Sequence, residues 1–228
     1  MSAAPASIDS FLRAGPVIAV VTLERAEDAR PLAAALAAGG VRVLEVTLRT
    51  RAALAAIEAI ALHCPEVVVG AGTVLAPGDF AAAADAGARF AVSPGYTSRL
   101  ATAASDSPLP WLPGVATASE IMAALDGGIE RLKFFPAEAA GGPAALSALG
   151  AVFPNARFCP TGGIDAGNAA RYLALANVDC VAGSWLAPRQ ALNARDWRAV
   201  QALASAAAAL QGERVAVGMP LARPARPE

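Results

Sequence analysis

Short runs of β-branched and apolar residues alternate with longer alanine-rich stretches along most of the chain. The runs are Val17–Val21, Val43–Leu48, Val67–Ala71, Phe90–Ser93, Trp111–Pro113, Arg131–Phe135, Arg157–Pro160 and Asp179–Ala182. Each is followed by Gly, Pro, Thr or Ser punctuation and then by a helix-forming segment. From the second run onward they recur about every 20–27 residues, the length of a βα unit with short loops. Ile8–Ala14 predicts a short amphipathic helix ahead of the first strand. Several helix ends are also legible. Thr50 is placed to cap a helix running to Leu62, and Gly39-Gly40 to close the one before it. Thr117-Ala118-Ser119-Glu120 fits a capping box opening a helix that ends at Gly127-Gly128. Asp165 is placed to cap a helix through Leu175, and a last helix is expected from about Ala194 to Gln211.

Repeated β/α alternation in one chain predicts an α/β fold, a TIM (β/α)8 barrel with an N-terminal helix, as a single domain over residues 1–212. A Pro- and Arg-rich tail, 213–228, is expected to be flexible. A doubly wound dinucleotide fold would show Gly-x-Gly-x-x-Gly after its first strand, and Val21-Thr22-Leu23-Glu24 stands there instead.

At 228 residues the chain is long enough for such a barrel, and its 56% hydrophobic content supplies the core. A net charge of -1, with no basic run backed by aromatics, argues against a nucleic-acid surface. The longest uncharged stretch, Ala139–Ala156, is broken by Pro143 and Pro154, so it predicts loop plus helix and no membrane span. Asp9 and Arg13 interrupt the N-terminal segment where a secretory signal needs an apolar core. Cys64, Cys159 and Cys180 are odd in number and widely spaced, forming neither a disulfide framework nor a metal knuckle. A cytoplasmic location is the expectation.

The strand Arg131–Phe135 carries the candidate chemistry. Alternation puts Leu132 and Phe134 on one face, Lys133 and Phe135 on the other. A lysine among apolar neighbours loses hydration as an ammonium, and a neutral amine is a nucleophile for carbonyls. The same lysine also fits a bland role, reaching solvent or pairing with Glu130 or Glu138. In the second strand, Glu45, Thr47 and Arg49 share one face and Leu44, Val46 and Leu48 the other. With the apolar face against helices, the polar face points into the barrel. There Glu45 serves as an acid/base and Arg49 as a carboxylate fork, or the two form a buried ion pair.

The remaining candidates sit where strands end, the functional rim of such barrels. Gly70-Ala71-Gly72-Thr73 allows close approach of a ligand and leaves Thr73 as a hydroxyl donor or a helix cap. Ser93-Pro94-Gly95 and Pro113-Gly114 are tight turns that shape a wall. Thr161-Gly162-Gly163 and Gly183-Ser184 follow the seventh and eighth strands, where barrels commonly hold phosphate on backbone N–H groups. His63 is the only histidine, so a zinc site built from histidines is excluded. A Mg²⁺ at the rim would draw on Glu45 and Glu138.

Five segments carry a family resemblance: GGVRVLEVTLRT (39–50), VGAGTVL (69–75), Ser93-Pro94-Gly95, KFFPAE (133–138) and FCPTGGI (158–164). In this order they resemble 2-keto-3-deoxy-6-phosphogluconate (KDPG) aldolase, grouped with 4-hydroxy-2-oxoglutarate (KHG) aldolase. The resemblance implies a homotrimer of TIM barrels and a metal-free class I aldolase that needs no cofactor. It implies that Lys133 forms the Schiff base and Glu45 shuttles protons. Arg49 and Thr73 match the residues holding the pyruvate carboxylate. Thr161, Gly162, Gly163 and Ser184 match the phosphate end, and Pro94 and Phe135 line the cavity. The related aldolase for the galactonate epimer usually lacks a hydroxyl at the position of Thr161, which favours the gluconate substrate. Two other functions fit the same pattern: a phosphate-binding isomerase or synthase without Schiff-base chemistry, and a barrel that only binds sugar phosphates or assembles.

Overall fold

The computed structural model describes residues 7–210, so the tail expected at 213–228 lies outside the described residues. The apolar runs form parallel strands: β1 (Val17–Val21), β2 (Val43–Thr47), β3 (Val68–Gly72), β4 (Ala91–Val92), β5 (Trp111–Leu112), β6 (Gly114–Val115), β7 (Arg131–Phe134), β8 (Arg157–Pro160) and β9 (Val181–Gly183). Six of them make one sheet in the order β5-β4-β3-β2-β1-β9, and β6-β7-β8 make a second. The run expected as one strand from Trp111 to Pro113 is split, because Pro113 has no N–H to give to a ladder. Single bridges, Phe158 to Val178 and Thr161 to Ala182, tie the β8 segment to the β9 segment.

Helices fill the connections: α1 (Ile8–Leu12), α2 (Ala29–Ala38), α3 (Ala53–His63), α4 (Pro77–Asp85), α5 (Ser98–Ser105), α6 (Ala118–Asp126), α7 (Gly142–Val152), α8 (Ala169–Leu173), α9 (Arg189–Ala194) and α10 (Trp197–Ala208). The capping box opens α6 as its sequence implies. Glu120 N–H donates to the Thr117 hydroxyl at 3.3 Å, and Thr117 N–H donates back to the Glu120 carboxylate at 2.9 Å. Gly39 ends α2, with Gly40 at φ 90° beyond it.

Three ends differ from expectation. Thr50 caps nothing, because its hydroxyl instead donates to the Leu23 carbonyl and ties the β2 loop to the β1 loop. Asp165 accepts from the N–H groups of Gly167 and Asn168, at 2.8 and 3.1 Å, so it organises a turn and α8 begins only at Ala169. The last helix, expected from about Ala194, is α10 and starts only at Trp197, with α9 a separate helix before it. Arg195 takes a left-handed conformation (φ 52°), and Asp196 starts α10 by accepting from Ala199 N–H at 3.0 Å.

The alternation of each strand divides the core. Leu44, Val46, Leu132 and Phe134 belong to the large cluster that faces the helices. On the opposite face Ile18, Val43, Phe90, Val92, Leu112, Cys159, Cys180 and Ala182 form a smaller cluster with Phe11 and Leu12 of α1. Burying α1 at that end leaves the C-terminal strand ends to carry polar side chains.

Candidate active site

Those ends surround a cavity of about 240 Å³. Glu45, Arg49, Thr73, Pro94, Lys133, Phe135, Thr161, Gly162, Gly163 and Ser184 all line it and so come to one place, whereas Glu138, the other rim carboxylate considered, does not line it. Val20, Thr22, Thr47, Ile164 and Gly183 complete the wall. Of these, Thr47 was visible as a member of the polar face of β2. Thr22 could have been found from the same period-of-two argument, since it continues the Val20 side past the end of β1. Its hydroxyl meets that of Thr47 at 2.7 Å.

Lys133 and Glu45 meet deep in this cavity. The amine is 3.1 Å from Oε1 and 3.5 Å from Oε2, with Lys133 6% and Glu45 3% exposed. The pairing resolves both alternatives left open by the sequence. Lys133 pairs with neither Glu130 nor Glu138, and Glu45 pairs with Lys133 rather than with Arg49. Arg49 is exposed at the rim and makes no ion pair among the described residues. The Phe135 ring lies beside the amine, with its centroid 5.4 Å from Nζ. Strand order explains the meeting: Glu45 lies on β2 and Lys133 on β7, and both point away from the helices. A Cβ at position 72 would occupy the place of the Glu45 carboxylate, so Gly72 is what lets that side chain cross β3.

Thr73 follows directly, at φ 60°. A β-branched residue there is strained, and such strain collects at functional sites. Thr73 is not a helix cap, because α4 has Ala76 at its N-cap position, and Asp79 in its first turn reaches back to accept from the N–H groups of Leu75 and Ala76 at 2.8 and 2.9 Å. The Pro94 turn is fixed by Ser93, whose hydroxyl donates to the Gly95 carbonyl at 2.7 Å and accepts from Trp111 Nε1 at 3.0 Å.

At the other end of the cavity, Gly162 and Gly163 have φ of 98° and 78°. Their carbonyls are occupied: Glu138 N–H donates to Gly162 O at 3.1 Å, and Asn168 Nδ2 to Gly163 O at 2.8 Å. The N–H groups of Gly163 and Ile164 donate to no acceptor among the described residues, while that of Gly162 faces the β9 segment through the Thr161–Ala182 bridge. Consecutive free N–H groups on a cavity wall are an anion-binding arrangement. The site thus combines a buried amine beside a carboxylate, a guanidinium at one rim, and a turn suited to a phosphate at another. No helix among the described residues is long and apolar enough to cross a membrane.

Residues 8–203 match the family model described as "Aldolase: KDPG and KHG aldolase". The chain is 52% identical over 198 residues to the KHG/KDPG aldolase of Escherichia coli strain K12, an alignment covering 87% of this chain and 93% of that protein. A crystal structure of KDPG aldolase from Legionella pneumophila, with pyruvate captured at low pH as a covalent carbinolamine intermediate, superposes with a TM-score of 0.86. It is 48% identical and covers 88% of this chain and 98% of its own. The aldolase of Zymomonas mobilis ZM4, crystallised with 3-phosphoglycerate, gives a TM-score of 0.87 at 46% identity, covering 94% of this chain and 100% of that one. With the motifs, the fold and the paired Lys133 and Glu45 all in agreement, this chain belongs to the KDPG and KHG aldolase family.

Proposed function

We propose that this protein is a class I aldolase, an aldehyde-lyase that cleaves KDPG to pyruvate and glyceraldehyde 3-phosphate, with cleavage of KHG to pyruvate and glyoxylate as a second reaction. The observation that carries this reading is the Lys133 amine 3.1 Å from the Glu45 carboxylate, both buried deep in the cavity. Lys133 attacks the C2 carbonyl to form a carbinolamine, and loss of water gives an iminium. A base removes the C4 hydroxyl proton, the C3–C4 bond breaks, and its electron pair moves into an enamine while the aldehyde leaves. Protonation at C3 and hydrolysis of the iminium then release pyruvate and restore the amine. Glu45 is the base within reach of Nζ and serves the proton transfers, directly or through a water. Arg49 and Thr73 hold the carboxylate, while Thr161, Gly162, Gly163 and Ser184 hold the phosphate. Pro94 and Phe135 shape the wall between them.

The same reading takes the two sheets as one closed eight-stranded barrel. Continuity of β5 and β6 through Pro113, the bridges between the β8 and β9 segments, and an inner cluster drawing on β1, β2, β4, β5, β8 and β9 support closure. Family resemblance supports a homotrimer, which sedimentation of the intact chain tests. The free thiols of Cys64, Cys159 and Cys180 speak for the cytoplasm.

The decisive experiment is borohydride reduction in the presence of pyruvate. One stable adduct is expected, on the peptide containing Lys133, with activity insensitive to chelator. Activity lost on chelation and restored by Mg²⁺ or Mn²⁺ would overturn the class I assignment.

A further inference from the structure

Glu138 belongs to the same short segment as Lys133, yet the chemistry above gives it no part. Its backbone N–H holds Gly162 O, and its side chain lies flat against Gly163. A Cβ at position 163 would come within 2.7 Å of Glu138 Cγ and 2.8 Å of its Cβ. The carboxylate does not dangle in solvent, although Glu138 as a whole is exposed. Its Oε1 accepts a hydrogen bond from the hydroxyl of Tyr172, a fully buried residue of α8. Burial and the adjacent Glu138 carboxylate raise the Tyr172 phenol above its ordinary value, so Tyr172 stays protonated and is the donor. On the far side of the turn Asn168, also next to α8, holds Gly163 O at 2.8 Å. The glycine turn is therefore gripped from both sides, with its carbonyls engaged and the N–H groups of Gly163 and Ile164 left for a ligand.

We propose that Glu138, anchored by Tyr172, is a positioning residue that sets the preference for phosphorylated over unphosphorylated substrates. The inference rests on the aldolase reading and deepens it. A free carboxylate at this place would repel a phosphate on the neighbouring turn, and an unbraced Gly-Gly turn would have to be ordered by the ligand itself. Tyr172 counters both effects: it fixes the carboxylate against the outer side of the turn and thereby holds the turn in its binding shape. Neither residue touches the reacting carbons.

The test compares specificity constants for KDPG and for 2-keto-3-deoxygluconate, its unphosphorylated counterpart. Borohydride trapping of pyruvate at Lys133 in each preparation reports on the Schiff-base site. Tyr172→Phe is expected to lower the phosphorylated-to-unphosphorylated ratio about tenfold, the loss that follows from one charge-assisted hydrogen bond, while trapping persists. The loss should fall on KM for KDPG rather than on kcat. Glu138→Ala should act in the same direction and carries the test if Tyr172→Phe fails to fold, since it alters an exposed side chain. Glu138→Gln keeps an oxygen for Tyr172 to donate to and should restore most of the ratio. An unchanged ratio in Tyr172→Phe and Glu138→Ala would overturn the proposal. So would equal losses with both substrates, which would make the pair a general prop for the fold. Failure of the unmodified protein to trap pyruvate would overturn the aldolase reading instead.

Discussion

Glu45 reaches its place from the middle of β2, and its only ionic partner among the described residues is the amine on β7, a strand of the other sheet. A buried carboxylate costs desolvation unless it is paired, and here the partner is the proposed nucleophile. Glu45→Gln keeps the volume and leaves an oxygen facing the amine, so the variant should fold. It should lose about 10²–10⁴-fold in rate, the usual contribution of a positioned acid/base. Exchange of the pyruvate methyl protons into deuterated water, followed by NMR, isolates the step from aldehyde binding. Wild-type exchange in the variant would make Glu45 structural and pass the proton to a water held near Thr73 or Thr161. Arg49 lies four residues on from Glu45, in the turn beyond the end of β2, and lines the cavity at its exposed rim. In the proposed reading a small keto acid lies between them, with its carboxylate outward and its carbonyl toward Lys133.

Among the elements, α6 shows how local sequence alone can place a helix far from the chemistry. Three donors converge on one side chain there: Ala116 N–H, Thr117 N–H and the Thr117 hydroxyl all reach Glu120 Oε2, at 2.7, 2.9 and 3.0 Å. Partial burial pushes the Glu120 carboxyl up, but these hydrogen bonds outweigh it and hold the group below its ordinary value. A depressed folded value means that the ionised cap stabilises the fold above the unfolded value of about 4.3, and that this stability is lost as pH falls through the lower folded value. Thr117→Ala should cost about 1 kcal/mol in urea unfolding at neutral pH and leave pyruvate trapping unchanged. A cost that persisted undiminished in acid would show that Glu120 takes no part in the cap.

The molecule as a whole separates stability from function by end. At the N-terminal strand ends, α1 inserts Phe11 and Leu12 into the inner cluster, and Phe11 lies against Phe90 with ring centroids 5.4 Å apart. An ionic layer secures the same helix: Asp9 pairs with Arg131 at 2.6 Å, and Asp179 lies between Arg131 and Arg157. Phe11→Ala should therefore cost about 3 kcal/mol or more in unfolding free energy, as truncation of a buried aromatic does. The borohydride-trapping rate at Lys133 should stay at the unmodified level, because the opposite strand ends carry the site. A trapping rate that fell with stability would show that the plug also shapes the cavity.

Read from the sequence alone, the period-of-two pattern determined which face of β2 and β7 would be polar, and the glycine and proline punctuation located the strand ends. Alternation and the strand-end turns made ten of the fifteen lining residues legible before their distances were. What the sequence could not determine was pairing. Glu45 had Arg49 as a near neighbour in sequence and Lys133 far away, yet chain separation says nothing about distance once strands are arranged side by side. Only the tertiary structure joined Glu45 to Lys133, and only it tied Thr50 to Leu23 in place of the helix it precedes. The start of α10 was hidden for a related reason: helix propensity favours beginning at Ala194, while Arg195 turns left-handed and bonds back to Glu27 and Asp28 in another part of the chain. Glu138 and Tyr172 were illegible as a pair because neither alone departs from the ordinary pattern of its segment. Local chemistry fixes which side chains a strand or turn presents, and the packing of distant segments decides which of them meet.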